Sequence, residues 1–157
     1  MNREITITIV LYEENYLSVS KCLENLKSFK IIIIDNAGDH ELKKKILNKF
    51  NIYKYIINKT NVGFSKGANQ AIKLCDTEYV LNIESDCLIN EKDILNLLES
   101  LKKYKNCMVV TPTFYNEDST ISYNGGPLPE KELEIRPLLL EGDMCVESCS
   151  TAAILFK

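Results

Sequence analysis

Several residue types that build common sites are scarce in this sequence. Among its 157 residues there is one histidine, His40, and the six cysteines include no Cys-X-X-Cys pair. Structural zinc sites need such pairs or several histidines, so we do not expect one here. His40 has no serine or acid motif beside it, and a catalytic triad is therefore not indicated. The cysteines lie mostly in apolar runs, which predicts reduced, buried thiols in a cytoplasmic protein.

An excess of positive charge and long apolar runs are absent as well. The net formal charge is −3, which gives no bulk attraction for nucleic acid, so we expect no nucleic-acid partner. No apolar stretch is long enough to span a bilayer, and Met1–Glu4 lead straight into a short strand rather than into a signal peptide. The run Lys43–Lys45 favours a solvated helix face, with peripheral membrane association as the alternative. The oligomeric state stays open.

Hydrophobic periodicity predicts a single α/β domain over residues 1–157. Strands are predicted at 5–11, 30–34, 52–57, 78–83 and 107–111, and helices at 14–28, 41–50, 64–75 and 90–104. The isoleucines of Ile31–Ile34 are typical of a strand buried on both faces. Alternating strands and helices predict a mostly parallel central sheet with right-handed crossovers. After Pro112 the pattern predicts a hairpin over 113–123, an irregular segment over 128–141 and a last strand over 152–156.

The acidic tripeptide Glu84-Ser85-Asp86 follows the apolar run Tyr79–Ile83 directly. In an extended segment, side chains at i and i+2 point to the same side. Two like charges about 4 Å apart repel by roughly 4 kcal/mol at an effective dielectric of 20, and a divalent cation between them relieves this. Mg²⁺ is typically held by one or two carboxylates together with substrate phosphates. The tripeptide therefore predicts a metal site on Asp86 and Glu84, with a solvent-exposed loop as the alternative.

Three other loops are expected at the same edge of the sheet, where open α/β sheets bind ligands. Leu11–Glu14 follow the first strand, and Asp35 and Asn36 follow the second. A carboxylate and an amide at this position can form hydrogen bonds with the edge of a nucleobase or with a ribose hydroxyl. The segment 61–69 opens the third helix, and its glycines permit close approach of backbone to a ligand.

Each of these loop residues also has a purely structural interpretation. Asp35 is a common capping residue of the turn that follows it. Asn61 and Gly63 are ordinary turn residues, and Asn69 suits an exposed helix face. The functional interpretation depends on the whole set occurring together.

In this order and spacing, the motifs resemble those of family 2 glycosyltransferases of the GT-A fold, within their rhamnosyltransferase-like branch. The motifs are Ile9-Val10-Leu11-Tyr12-Glu13, Ile33-Ile34-Asp35-Asn36-Ala37, Asn61-Val62-Gly63-Phe64-Ser65-Lys66-Gly67-Ala68-Asn69-Gln70 and Glu84-Ser85-Asp86. The resemblance covers nearly the whole chain. It implies a three-layer α/β/α sandwich, a UDP- or dTDP-sugar donor, a divalent metal (Mg²⁺ or Mn²⁺) and inversion at the sugar carbon.

The resemblance also implies roles for single residues. Asp35 would contact the nucleobase, Tyr12 would line the nucleoside pocket and Asp86 would bind the metal, with Glu84 as a second ligand or acting through water. Glu84 stands where aspartate is usual, and Glu13 where asparagine is commoner. The residues predicted to bind the donor are Leu11, Tyr12, Glu13, Asp35, Asn36, Asn61, Gly63, Phe64, Lys66, Asn69, Glu84 and Ser85.

No acidic residue matches the family's general base, which is expected beyond Lys157. The hypothesis is therefore the donor-binding part of a longer transferase that acts on a glycan or lipid-linked acceptor in polysaccharide biosynthesis. A non-catalytic nucleotide-sugar-binding module is the first alternative. A sugar-phosphate nucleotidyltransferase is the second, and the absence of glycine and arginine from Tyr12–Tyr16 counts against it.

Overall fold

A six-stranded sheet with helices on both faces organises the protein. The computed structural model describes residues 4–126, 142–143, 145–146 and 148–157. The sheet contains β1 (Ile5–Leu11), β2 (Lys30–Asp35), β3 (Lys54–Ile57), β4 (Tyr79–Ile83), β5 (Val109–Val110) and β8 (Ala153–Phe156), and a separate hairpin pairs β6 (Phe114–Tyr115) with β7 (Ile121–Tyr123). The helices are α1 (Tyr16–Glu24), α2 (His40–Lys49), α3 (Phe64–Ile72) and α4 (Glu91–Lys103).

The order of the strands creates a crevice at one edge of the sheet. The order is β3-β2-β1-β4-β8-β5, and β1 pairs in parallel with both β2 and β4. The chain moves outward from β1 through β2 to β3, and then returns to the other side of β1 as β4. Ligands of open α/β sheets bind at such a switch point, outside the carboxyl ends of the strands. Strand β8 runs antiparallel to β4, so it begins at this same edge, where Ala153 pairs with Ile83.

The two faces of the sheet carry different helices. Helices α1, α2 and α4 pack with alternate strand residues into the larger core cluster, which includes Ile31 and Ile33. Helix α3 covers the other face, where Ala71 packs with Ile32 and Ile34. The four isoleucines are therefore buried on both faces, as predicted. The three-layer α/β/α arrangement with a mostly parallel sheet is confirmed.

Element boundaries differ from the predicted ones where local hydrogen bonds decide them. Helix α1 begins later than predicted, because the side chain of Asn15 caps it by accepting from the backbone N–H of Ser18. Strand β5 has two residues rather than the predicted five. The predicted irregular segment 128–141 lies outside the described residues, and the single-domain boundary stays a prediction. In the described part of the chain, no helix is both long and apolar enough to cross a membrane.

Candidate functional site

A cavity of about 320 Å³ opens at the switch point between β1 and β4. Its size falls within the range of small-molecule sites. Its walls come from the ends of β1 and β2, the start of α3 and the acidic turn after β4. The lining residues are Val10, Tyr12, Glu14, Asn36, Asn61, Gly63, Phe64, Glu84, Ser85 and Asp86.

The acidic tripeptide forms a turn rather than the predicted extended segment. Strand β4 ends at Ile83, and the N–H of Cys87 donates to the carbonyl oxygen of Glu84 at 3.1 Å, which closes the turn. The alternation argument from sequence was therefore wrong about the backbone. Even so, Glu84 and Asp86 both line the cavity, because the turn itself forms that wall.

The donor set of this turn fits a divalent cation that also binds phosphate. Asp86 is exposed, and it makes no hydrogen bond or ion pair within the described residues. Carboxylate oxygens are the hard ligands that Mg²⁺ and Mn²⁺ prefer. No group of three or more His, Cys, Asp or Glu side chains in the described part of the chain could hold a metal alone. These residues are consistent with a divalent cation that is bound by the two carboxylates together with oxygens of a diphosphate.

Negative charge at the turn affects the thiols beneath it. Burial, followed by the neighbouring Cys87 and Asp86, raises the pKa of Cys22 to about 12. Burial, followed by the charges of Asp86 and Glu84, raises the pKa of Cys87 to about 11. Both thiols therefore stay protonated at neutral pH, and neither is an activated nucleophile.

We expect Cys22 to make the fold sensitive to alkali. Its pKa is raised from 9.0 to about 12 in the folded protein, so the folded state retains a proton that the unfolded chain releases. The stability that this contributes is complete below pH 9 and is lost as the pH rises towards 12. The loss reaches about 2–3 kcal/mol by pH 11. Urea unfolding at a series of pH values across this range, with reductant present, measures the free energy of unfolding. This free energy should fall less steeply with pH for Cys22→Ala than for the unmodified chain, and equal slopes would contradict the prediction.

The loop after β1 contributes Tyr12 and Glu14 to the cavity. Tyr12 is 48% exposed, so one face of its ring is available to a ligand. Leu11 is buried, and only its backbone serves the site, because its carbonyl oxygen accepts from the N–H of Asn36 at 2.8 Å. Glu14 was expected in the loop at this edge, but it was left out of the predicted donor-binding residues, and the predicted helix 14–28 also began at it. Recognising Asn15 as the N-cap would have left Glu14 in the loop.

Glu13 does not line the cavity, and its backbone is strained. Its φ is +56°, in the left-handed region, which asparagine adopts far more readily than glutamate does. An asparagine at this position would therefore be less strained than the glutamate. We expect Glu13→Asn to raise the free energy of unfolding by about 0.5–1 kcal/mol in urea titrations. Glu13→Gln removes the charge without relieving the strain, and an equal gain in this control would contradict the explanation.

Asp35 lies beneath the site rather than on its wall. It is fully buried, and its Oδ1 accepts from the N–H groups of Ala37 at 2.8 Å and Gly38 at 3.0 Å. Its Oδ2 accepts from the hydroxyl of Tyr55 at 2.9 Å. Burial and the charge of Asp35 raise the pKa of that hydroxyl, which therefore remains a donor. In this arrangement the carboxylate caps the turn, and contact with a nucleobase stays a prediction.

Asn36 links the second strand to the start of α3. Its Nδ2 donates to the carbonyl oxygen of Gly63 at 3.3 Å, and its Oδ1 accepts from Nδ2 of Asn58 at 2.8 Å. It is nearly buried but reaches the cavity. Asn36 thus holds Gly63, and with it the start of α3, against the end of β2.

Helix α3 begins at the cavity with an uncapped N-terminus. Gly63 is its N-cap residue, with φ +82° and no side-chain cap, and its N–H donates to Oδ1 of Asn61 at 2.8 Å. The N-terminal part of α3 packs closely against β1. A Cβ on Gly67 would lie only 3.0 Å from Cγ1 of Val10, so a side chain here would require Val10 to shift. Free N–H groups at a helix N-terminus bind anions such as phosphate.

The structure thus brings most, but not all, of the predicted site residues together. Eight of them line the cavity, namely Tyr12, Asn36, Asn61, Gly63, Phe64, Glu84, Ser85 and Asp86. Five do not, namely Leu11, Glu13, Asp35, Lys66 and Asn69. Lys66 and Asn69 are exposed on α3. Val10 and Glu14 line the cavity but were not among the predicted donor-binding residues.

The chain is similar to several solved structures, which include a mannosyltransferase. S. aureus TarS matches with a TM-score of 0.50 and 26% identity over 63% of this chain and 20% of that one. TarS residues 1–349 in complex with UDP matches with a TM-score of 0.50 and 25% identity over 63% and 33%. The Pyrobaculum calidifontis mannosyltransferase PcManGT, in complex with GDP-Man and Mn²⁺, matches with a TM-score of 0.58 and 14% identity over 69% and 34%, which shows the fold alone. This chain spans between a fifth and a third of the length of these proteins.

All of the sheet except Ile5, all four helices and the cavity fall within one family match. No curated protein sequence matches the chain. The model of the glycosyl transferase family 2, however, matches residues 6–157, which include every residue that lines the cavity. The mostly parallel sheet flanked by helices is the GT-A architecture that the sequence motifs implied. The chain therefore belongs to glycosyl transferase family 2.

Proposed function

We propose that this chain is the donor-binding part of an inverting, metal-dependent glycosyltransferase that takes a UDP- or dTDP-sugar. The observation that carries the proposal is the cavity at the switch point, with two carboxylates on one wall and an uncapped helix N-terminus on another. The complexes of TarS with UDP and of PcManGT with GDP-Man and Mn²⁺ support a nucleotide-sugar donor for this family member.

The two exposed aromatic rings on the wall suit the nucleoside. Tyr12 is 48% and Phe64 40% exposed, and both line the cavity. Exposed ring faces provide stacking surfaces for a planar base. The amides of Asn36 and Asn61 add donors and acceptors at the same wall. We assign the nucleoside to this side of the cavity and the diphosphate to the side of the acidic turn.

Charge on the wall makes nucleotide binding depend on a cation. The described residues that line the cavity include Glu14, Glu84 and Asp86 but no lysine or arginine. A diphosphate entering alone would meet repulsion, which is strong in a partly enclosed cavity. Asp86 and Glu84 would hold Mg²⁺ or Mn²⁺, which would neutralise the charge that develops on the leaving diphosphate. The first turn of α3 directs further N–H groups to the same anion.

Transfer also needs an acceptor and a general base. Inversion follows from direct attack of an acceptor hydroxyl on the sugar carbon, with a base taking the hydroxyl proton. We propose a glycan or lipid-linked acceptor in polysaccharide biosynthesis, and a base other than the acidic residues that line the cavity. The resemblance to the family supports both points. A binding module without turnover is the alternative, and it shares the same donor site.

Nucleotide titration followed by a turnover assay tests the proposal. Calorimetric titration of UDP, dTDP and GDP in the presence of Mn²⁺ should show tighter binding of UDP or dTDP than of GDP. Turnover would then be assayed in the full-length native protein, as the release of UDP from UDP-sugars with and without oligosaccharide acceptors. Binding with release supports a transferase. Binding without release favours the module, and preference for GDP would contradict the proposed donor class.

A further inference from the structure

The acidic turn is anchored from two neighbouring elements, and most of the anchors reach only its backbone. On the α1 side, the hydroxyl of Ser18 donates to the carbonyl oxygen of Ser85 at 3.4 Å. On the β8 side, the N–H of Glu84 donates to the carbonyl oxygen of Ala152 at 2.9 Å. These contacts fix where the turn lies but not where its carboxylates point.

One contact differs, because it reaches a carboxylate. The hydroxyl of Thr151 donates to Oε1 of Glu84 at 3.2 Å. Among the described residues, no other side chain donates a hydrogen bond to the carboxylate of Glu84 or Asp86. Thr151 lies just before β8, sixty-seven positions along the chain from Glu84.

We propose that Thr151 is a positioning residue for the metal site, holding Oε1 of Glu84 so that Oε2 is the oxygen offered to the cation or to its bound water. The inference rests on the proposed function. Glutamate has one more rotatable bond than aspartate, and an unrestrained carboxylate would lose more rotamer freedom on binding an ion. Hydrogen bonds that orient metal-binding carboxylates raise metal affinity in this way.

The hydroxyl of Thr151 is not needed to hold β8 in the sheet. Strand β8 pairs with β4 and β5 through its backbone. Its first residue is also held by the hydroxyl of Thr111, which donates to the carbonyl oxygen of Ala153 at 2.8 Å. Thr151 itself is exposed, so its side chain contributes little to the core. A loss of metal affinity in a Thr151 variant would therefore reflect Glu84 rather than the strand.

The test is the affinity for Mn²⁺ in the presence of UDP, followed by the loss of the electron paramagnetic resonance signal of free Mn²⁺. Thr151→Val keeps the shape and removes the hydroxyl, and we expect about tenfold weaker binding. Thr151→Ser restores the hydroxyl and should stay within about twofold of the unmodified chain. Thr111→Val is the matched control, because it removes a hydroxyl that supports β8 but does not contact Glu84. Circular dichroism verifies the fold of each variant.

A double-mutant cycle completes the test. In a Glu84→Gln background, the additional effect of Thr151→Val should disappear, because the amide still accepts from Thr151 through its oxygen but has no second oxygen to offer to the cation. The proposal is overturned if Thr151→Val binds Mn²⁺ as the unmodified chain does, or if Thr111→Val weakens binding equally. If the unmodified chain binds no Mn²⁺ with UDP present, the proposed function fails and this inference with it.

Discussion

Asp86→Asn is expected to remove the metal-dependent part of nucleotide binding while leaving the fold unchanged. The side chain is exposed and has no hydrogen-bond partner or ion pair within the described residues, so its amide should not alter stability measurably. In the proposed site it is the direct metal ligand. Removing its charge should weaken UDP binding in Mn²⁺ by about 100-fold, more than the loss of an orienting contact does. Without metal, the already weak binding should be unchanged or slightly stronger, because repulsion of the diphosphate falls.

The matched control is Asp93→Asn. Asp93 is also exposed, lies in the first turn of α4 and does not line the cavity. Asp93→Asn removes the same unit of charge from the protein as Asp86→Asn does, so any long-range electrostatic effect appears in both variants. Calorimetric titrations of UDP with and without Mn²⁺ compare the two. Full metal-dependent affinity in Asp86→Asn, or an equal loss in Asp93→Asn, would remove the assignment of the metal to this turn.

Asp35→Ala is expected to destabilise the fold by about 3 kcal/mol or more, because it leaves several buried donors without an acceptor. The carboxylate accepts from two backbone N–H groups and from the buried hydroxyl of Tyr55. Asp35→Asn keeps an oxygen for the turn and places an amide against the Tyr55 hydroxyl, which can accept. It should therefore cost only about 1 kcal/mol. Urea unfolding measures both.

The same variants separate turn capping from base recognition. If Asp35 caps the turn, Asp35→Asn should bind UDP nearly as the unmodified chain does, and Tyr55→Phe should destabilise by about 1–2 kcal/mol because Oδ2 loses its donor. If Asp35 reads the base, Asp35→Asn should change the preference between nucleotides with little change in stability. A stable Asp35→Ala variant with weak nucleotide binding would contradict capping.

The fold could be predicted because its signals are local. The β-branched run Ile31–Ile34 and the alternation of strands with helices specify a buried parallel sheet without any knowledge of tertiary contacts. The acidic tripeptide was expected at the carboxyl edge of the sheet, where the cavity lies, because the ends of parallel strands meet at one edge of such a sheet. The end of the strand at Ile83 was predicted correctly, but the tripeptide after it is not extended, because the hydrogen bond from the N–H of Cys87 to the carbonyl oxygen of Glu84 closes a turn.

The parts that sequence reasoning missed depend on distant partners. Whether Asp35 faces a ligand or caps a turn is decided by Tyr55, twenty positions away. The contact between Thr151 and Glu84 joins residues sixty-seven positions apart, and no periodicity connects them. Glu14 differs, because the capping residue Asn15 was a local signal that could have placed it in the loop.

The central claim is that a nucleoside diphosphate and a divalent cation bind together in the cavity between β1 and β4. Calorimetric titration of UDP into the unmodified chain, first in Mn²⁺ and then in chelator, tests this most directly. The account predicts saturable binding in Mn²⁺ that weakens by at least about tenfold when the metal is removed. Equal affinity in both conditions, or no binding in either, would contradict it.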